Sequence, residues 1–327
     1  METCSTLREI FSYHKGKLCF KWEFYVNNWD SLLEIKKSEP INLLEIGVQD
    51  GGSLEIWAKY FTNAQSIIGI DVNPKCANLI YDDPRIHFVL GDANVSDTFQ
   101  QVTGIVDTFD IVIDDGSHIS KDIIKSFFLY FEVLREGGIY IIEDLHASYW
   151  DEYEGGLYHP GSSISFFKKL VDIINNEHWR VSQTVEEYLH DFEKYTENGI
   201  NEEVLRKIQS IQFLNSMVVI KKSSQEETSL GKPMLSGLEE NISESIEAVN
   251  SSAFENYLKN MTDNSNDLDT FALQQANETL QTKIQTLQGQ KDELFDTIQQ
   301  IKNSTSWKIT QPIRTVKNII LKIQGKL

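Results

Sequence analysis

Leu43-Leu44-Glu45-Ile46-Gly47-Val48-Gln49-Asp50-Gly51-Gly52-Ser53 is an apolar strand that runs into a glycine-rich turn, after which the pattern becomes helical from about Leu54. Glycine reaches backbone conformations closed to other residues and lets the chain approach a ligand closely. That is the use made of the first strand-to-helix turn in doubly wound sheets. Outward from this stretch, short β-branched runs alternate with amphipathic segments as far as about Lys222. Strands are predicted over Ile41 to Ile46, Ser66 to Ile70, Ile86 to Leu90, Phe109 to Ile113, Gly138 to Glu143 and Ile208 to Ile220. This alternation predicts an α/β fold over residues 1–223, with helices covering a mostly parallel, Rossmann-like doubly wound sheet.

Composition narrows the possibilities. The chain has 327 residues, 40% of them hydrophobic, enough to bury a core and to exclude wholesale disorder. Apolar runs such as Ile139-Tyr140-Ile141-Ile142 are strand-sized, far short of the ~20 residues that span a bilayer. The net charge of −19 argues against a nucleic-acid binder, which needs a basic surface. Cys4, Cys19 and Cys76 lack metal-ligand spacing, and Met1-Glu2-Thr3-Cys4 lacks the pattern of a signal peptide, so a cytoplasmic location is expected.

The second strand ends in Asp71, placed to hydrogen-bond ribose hydroxyls, and the third runs into Gly91-Asp92, where an acid can meet an adenine amino group. Together with the turn residues Glu45, Gly47, Gln49, Gly51 and Ser53, these mark an adenosine ligand. Because the turn is not G-x-G-x-x-G, S-adenosylmethionine fits better than a dinucleotide. Two acid pairs, Asp114-Asp115 and Glu143-Asp144, follow the fourth and fifth strands, and four converging carboxylates repel one another unless a cation intervenes. Oxygen ligands point to Mg²⁺.

Further motifs sharpen this reading: Lys21-Trp22-Glu23, Ile113-Asp114-Asp115-Gly116-Ser117-His118, Ile142-Glu143-Asp144-Leu145-His146 and Phe213-Leu214-Asn215-Ser216. Over about residues 20–222 the chain resembles the class I methyltransferases. More narrowly, it resembles the metal-dependent sugar O-methyltransferases typified by the macrolide-sugar enzyme of mycinamicin biosynthesis, related to cephalosporin hydroxylase-like proteins. The resemblance implies Asp115, Glu143 and Asp144 as metal ligands and His118 as the general base that deprotonates a sugar hydroxyl. It leaves Asp114 to support the site or face the cofactor. His146 is open to a substrate contact or a structural hydrogen bond. Tyr149, Trp150, Tyr153, Tyr158 and His159 lie in a stretch that suits either a lid over a sugar ring or local packing.

Beyond Ser223 the composition changes. Residues 224–270 are rich in Ser, Asn and Glu and read as an acidic flexible linker. Leu273, Leu280, Leu287, Leu294 and Ile301 recur as heptads, predicting a coiled coil over 271–301 that forms a homodimer or trimer, or else one amphipathic helix on its own domain. Residues 302–327 carry Lys302, Lys308, Arg314, Lys317, Lys322 and Lys326 beside an apolar stripe, which suits a peripheral contact with the inner membrane or with protein. Ser306-Trp307-Lys308-Ile309-Thr310-Gln311-Pro312-Ile313-Arg314 resembles a box found in bacterial polysaccharide-modifying enzymes. These features lead us to expect a methyltransferase of surface-polysaccharide biosynthesis. The alternatives are an enzyme of glycosylated natural products and a non-catalytic scaffold of glycan assembly.

Overall fold

In the computed structural model, residues 6–231 are described, together with Met234 and Ser236. The expected coiled coil and basic tail, and most of the acidic linker, lie outside the described residues. The linker's first residues include one helical turn, Gln225–Thr228, capped by the Ser224 hydroxyl.

Seven strands form one sheet: β1 (Asn42–Ile46), β2 (Ser66–Asp71), β3 (Ile86–Leu90), β4 (Phe109–Asp114), β5 (Leu134–Ile142), β6 (Ile208–Leu214) and β7 (Met217–Lys222). Their order is β3-β2-β1-β4-β5-β7-β6. The first five are parallel, and β7 runs antiparallel to both β5 and β6. The chain reverses its direction of travel across the sheet between β1 and β4, which opens a crevice at their carboxyl ends.

Both faces of the sheet are covered, so the central strands are continuous apolar runs rather than alternating ones. Leu44, Ile68, Val112, Tyr140 and Ile142 pack with Phe127 of α5 (Ser120–Glu132) and Phe166 and Phe167 of α6 (Ser163–Ile174). Their neighbours Leu43, Ile67, Ile111, Ile113 and Ile141 face the other way. There they meet Trp29 of α2 (Glu23–Leu33) and Leu54 and Trp57 of α3 (Gly52–Tyr60), with α1 (Leu7–Ser12) alongside. A remaining helix, α4 (Ser96–Ile105), follows β3. Each such buried side chain contributes about 1.5–3 kcal/mol.

The expected long strand over Ile208 to Ile220 is in fact a hairpin. Leu214 pairs with Met217 across a two-residue turn, Asn215-Ser216, in which Ser216 takes a left-handed φ of 64°. The polar pair Asn215-Ser216 between Leu214 and Met217 is the local mark of the reversal, a turn signal weaker than one that contains glycine.

Candidate functional site

The crevice is built from strand ends. The Gly47 Cα position lies so near the next loop that an added Cβ would sit 2.1 Å from the Asp115 carbonyl oxygen, and its φ is +82°. Gly47 therefore lets β1 and β4 approach at the crevice floor. Asp71, the last residue of β2, accepts from the backbone N–H of Val48 (3.0 Å) and Gln49 (2.9 Å) through one oxygen and from Asn73 (2.8 Å) through the other. Its carboxylate thus fixes the turn as well as lining the crevice.

Two cavities flank that floor and share Gly47, Asp71 and Gly116. One, of about 340 Å³, is bounded by Glu45, Gln49, Ser53, Asp115, His118 and Asp144 with residues 18–21 as its wall. The other, of about 220 Å³, is bounded by Asp92, Ala93, Asp114 and Ser126. Of the cofactor-facing residues expected from sequence, Glu45, Gly47, Gln49, Ser53 and Asp71 line the first, and Asp92 and Asp114 line the second. Gly51 lies outside both. It is the left-handed cap of α3, and its carbonyl accepts from the Tyr81 hydroxyl at 3.2 Å. The paired cavities suit an elongated ligand with a polar end and a flat apolar end.

Asp114 is buried and bonded to the Ser126 hydroxyl and the Gly116 N–H. Burial pushes its carboxyl up to about 7. A raised pKa in the folded state favours the protonated form, so stability is retained at acid pH and lost as the pH rises through 7. Asp114→Asn should leave denaturant stability nearly unchanged at pH 4 and raise it by up to about 4 kcal/mol at pH 8.5. An equal effect at both values would contradict this.

At the open end, Asp115, His118 and Asp144 each present a ligand atom within 4.8 Å of one another. The His118 Nε2 lies 4.0 Å from Asp115 Oδ1 and 3.8 Å from Asp144 Oδ2. Both His118 (φ 59°) and Asp144 (φ 53°) are left-handed, a conformation that costs about 1–3 kcal/mol and clusters at functional sites. Glu143, expected as a third ligand, turns inward to Lys21. Its Oε2 accepts from the Lys21 ammonium at 2.7 Å, while its Oε1 is buried with no hydrogen-bond partner.

No local pattern in the sequence assigns Lys21 a role. Its ammonium also donates to Asp115 Oδ2 at 2.6 Å and lies 3.4 Å from Glu45 Oε1. Burial opposes its charge, but Asp115, Glu143 and Glu45 outweigh that and hold its pKa well above the ordinary value. Burial pushes Glu143 up to about 8 against the pull of Lys21, with Asp115 adding to the rise. One resident cation thus serves several carboxylates. The outer oxygens of Asp115 and Asp144, with His118 beside them, form a donor set that fits a small divalent cation, and Glu143 Oε1 is a further carboxylate oxygen left without a protein partner.

The N-terminal segment also reaches Asp144. Its Oδ1 accepts from Trp22 Nε1 (2.9 Å) and from the Tyr25 hydroxyl (2.8 Å). Around the mouth, ring centroids follow one another from Phe20 to Trp22 (6.1 Å), His146 (6.0 Å), Trp150 (5.0 Å), Tyr153 (6.0 Å) and His118 (6.5 Å). Phe20, Trp22 and Trp150 are each about half exposed or more. The stretch after β5 is therefore part of the rim. Tyr149 lines a neighbouring cavity, while Tyr158 lies open to solvent.

This arrangement of strand-end acids around a glycine turn corresponds to a methyltransferase domain: residues 44–145 match the family of that description. Among curated proteins, the 8-demethyl-8-alpha-L-rhamnosyl tetracenomycin-C 2'-O-methyltransferase of Streptomyces olivaceus is 34% identical over 144 residues, covering 42% of this chain and 37% of that protein. The mycinamicin VI 2''-O-methyltransferase of Micromonospora griseorubida is 33% identical over 165 residues, covering 47% and 40%. The chain thus spans about two fifths of the length of these relatives. Among solved structures, the methyltransferase MycE of the mycinamycin biosynthetic pathway, in complex with Mg, SAH and mycinamycin VI, aligns with a TM-score of 0.54 at 27% identity. That alignment covers 69% of this chain and 56% of MycE.

Proposed function

We propose that this protein is an S-adenosylmethionine-dependent, Mg²⁺-assisted O-methyltransferase acting on a sugar hydroxyl of a glycosylated small molecule. The observation that carries it is the convergence of Asp115, His118 and Asp144 at the mouth of the crevice lined by Glu45, Gln49 and Asp71. The relatives named above act, by their names, on rhamnosylated tetracenomycin and mycinamicin, which favours a glycosylated natural product over a surface polysaccharide.

When bound, S-adenosylmethionine supplies an electrophilic methyl group and Mg²⁺ the Lewis acidity that makes a hydroxyl easier to deprotonate. Asp115 and Asp144, with the free oxygen of Glu143, are the residues that would hold the metal. Asp71 and Glu45 border the ribose and methionine ends of the crevice, and Asp92 and Asp114 its far end. His118, one quarter exposed, takes the proton of the acceptor hydroxyl. The aromatic rim offers apolar faces to the C–H side of a sugar ring and sheds water from the reacting atoms.

The test is release of S-adenosylhomocysteine by the purified chain from S-adenosylmethionine, with α-L-rhamnosyl tetracenomycin-C and mycinamicin VI as acceptors. Chelation should abolish turnover and added Mg²⁺ should restore it. Failure to bind S-adenosylmethionine in calorimetry, or turnover indifferent to chelation, would sink the reading.

A polysaccharide acceptor is the second reading. Its support is the heptad repeat and the basic tail, features of the sequence alone. Among the described residues no helix is long and apolar enough to cross a membrane. Loss of function in cells on deleting residues 271–327, with the purified domain still active, would favour this reading.

A further inference from the structure

The hydrogen bonds around Asp144 determine the state of a second histidine. Tyr25 Oη lies 2.8 Å from the Asp144 Oδ1, and of these two oxygens the phenol is the one that carries a proton, so Tyr25 donates to Asp144. Tyr25 has then spent its single proton. The Ser216 hydroxyl, 2.8 Å from Tyr25 Oη, must donate to it, and the Asp144 N–H donates to the same oxygen at 3.0 Å. Ser216 has likewise spent its proton. The His146 Nδ1, 2.5 Å from Ser216 Oγ, can therefore only be a donor. The His146 backbone N–H adds a weaker donation to the same hydroxyl at 3.3 Å.

Nδ1 carries the proton of a neutral ring, which leaves Nε2 as a bare acceptor. Among the described residues nothing hydrogen-bonds Nε2. The ring is one third exposed, stacks edge-on between Trp22 and Trp150 in the rim, and borders a cavity of about 280 Å³ with Tyr149, Leu214 and Asn215. Asp144 stands between the two histidines: Oδ2 is 3.8 Å from His118 Nε2 and Oδ1 is 3.8 Å from His146 Nδ1.

We propose that His146, locked as the Nδ1–H tautomer by Ser216 and Tyr25, is a specificity-determining residue whose Nε2 accepts a hydrogen bond from an acceptor hydroxyl other than the one methylated. The proposal rests on the methyltransferase reading for the identity of the ligand, but not for the tautomer. His118 handles the reacting hydroxyl on one side of Asp144, and His146 reads a different one on the other. A buried or rim acceptor built to meet a hydroxyl rejects analogues that lack it, because the bare nitrogen is then left without a partner.

Two measurements test this on the full chain. Long-range proton–nitrogen NMR of histidine-labelled protein, with the His146 signals assigned by their loss in His146→Asn, should show a protonated Nδ1 and a bare Nε2. In Ser216→Ala the two nitrogens should move toward averaged values. A protonated Nε2 or a tautomer mixture in the wild type, or no change in Ser216→Ala, overturns the lock.

With the α-L-rhamnosylated acceptor of the assay above, one monodeoxy analogue should raise KM about tenfold in the wild type. The same analogue should cause no further rise in His146→Phe, whose own loss falls on KM more than on kcat. Equal penalties for that analogue in both enzymes overturn the contact. Absence of turnover with every acceptor counts against the methyltransferase reading, and the NMR result still decides the tautomer.

Discussion

Lys21→Met is expected to lower the unfolding midpoint by roughly 10 °C. The side chain is 4% exposed and its ammonium bonds Asp115 and Glu143 with Glu45 in range. Methionine fills the same space without the charge, so the buried carboxylates lose their common partner. Removing one member of a buried ion pair costs about 3–5 kcal/mol, because the remaining charge stays in a poor solvent. In a domain of this size each kcal/mol shifts the midpoint by about 2–4 °C. The pH dependence has a definite sign. The Glu143 carboxyl already has its pKa pushed up to about 8, so its protonated form favours the fold, and that contribution is lost as pH rises through that value. Without Lys21 the group rises further, and the deficit should be larger at pH 8 than at pH 5. Scanning calorimetry at the two values checks this, and an unchanged midpoint at pH 8 would show that the lysine is not the counter-charge of the cluster.

The second large effect is chemical. His118→Asn should reduce kcat by about 10²–10⁴-fold, the range that a positioned general base contributes. Asparagine is the informative substitution because His118 sits at φ 59°, where asparagine is tolerated and alanine is strained. Loss of the base is thereby separated from loss of the loop. That loop has its own support: the Ser117 hydroxyl donates to Asp122 at 2.8 Å and accepts from the Ile119 N–H at 3.2 Å. Calorimetric affinity for S-adenosylmethionine should change severalfold at most. Retention of more than a tenth of wild-type kcat would remove His118 from the proton transfer.

The central strands and the glycine turn were legible because both faces of β1, β2, β4 and β5 are buried, and such strands read as unbroken apolar runs ending in acids. Asp71, Asp92, Asp114, Asp115 and Asp144 were legible for the same reason, since strand ends in a parallel sheet gather at one edge. What the sequence hid was long-range. Lys21 meets its acids 94 and 122 residues away, and Tyr25 meets Ser216 across 191, separations that no local pattern encodes. Glu143 shows the same limit from the other side. Its neighbour Asp144 lies at the open end with Asp115 and His118, but which way Glu143 turns depends on a lysine from another part of the chain.

The turn between β6 and β7 ties the site to the order in which the molecule takes shape. Its Ser216 carbonyl accepts from the Leu145 N–H at 2.9 Å, and its hydroxyl holds Tyr25, which in turn holds Asp144. Contacts spanning nearly the whole domain form slowly, since the loop-closure entropy must be met before they can reward it. During synthesis the parallel strands β1 to β5 are available well before this hairpin exists. A ribosome-bound chain ending before residue 216 carries the acid cluster with Tyr25 and Asp144 lacking their tether. The links from Ser216 to Tyr25 and Leu145 therefore form only once the hairpin docks beside β5, and the hydrogen-bond network around Asp144 is completed late.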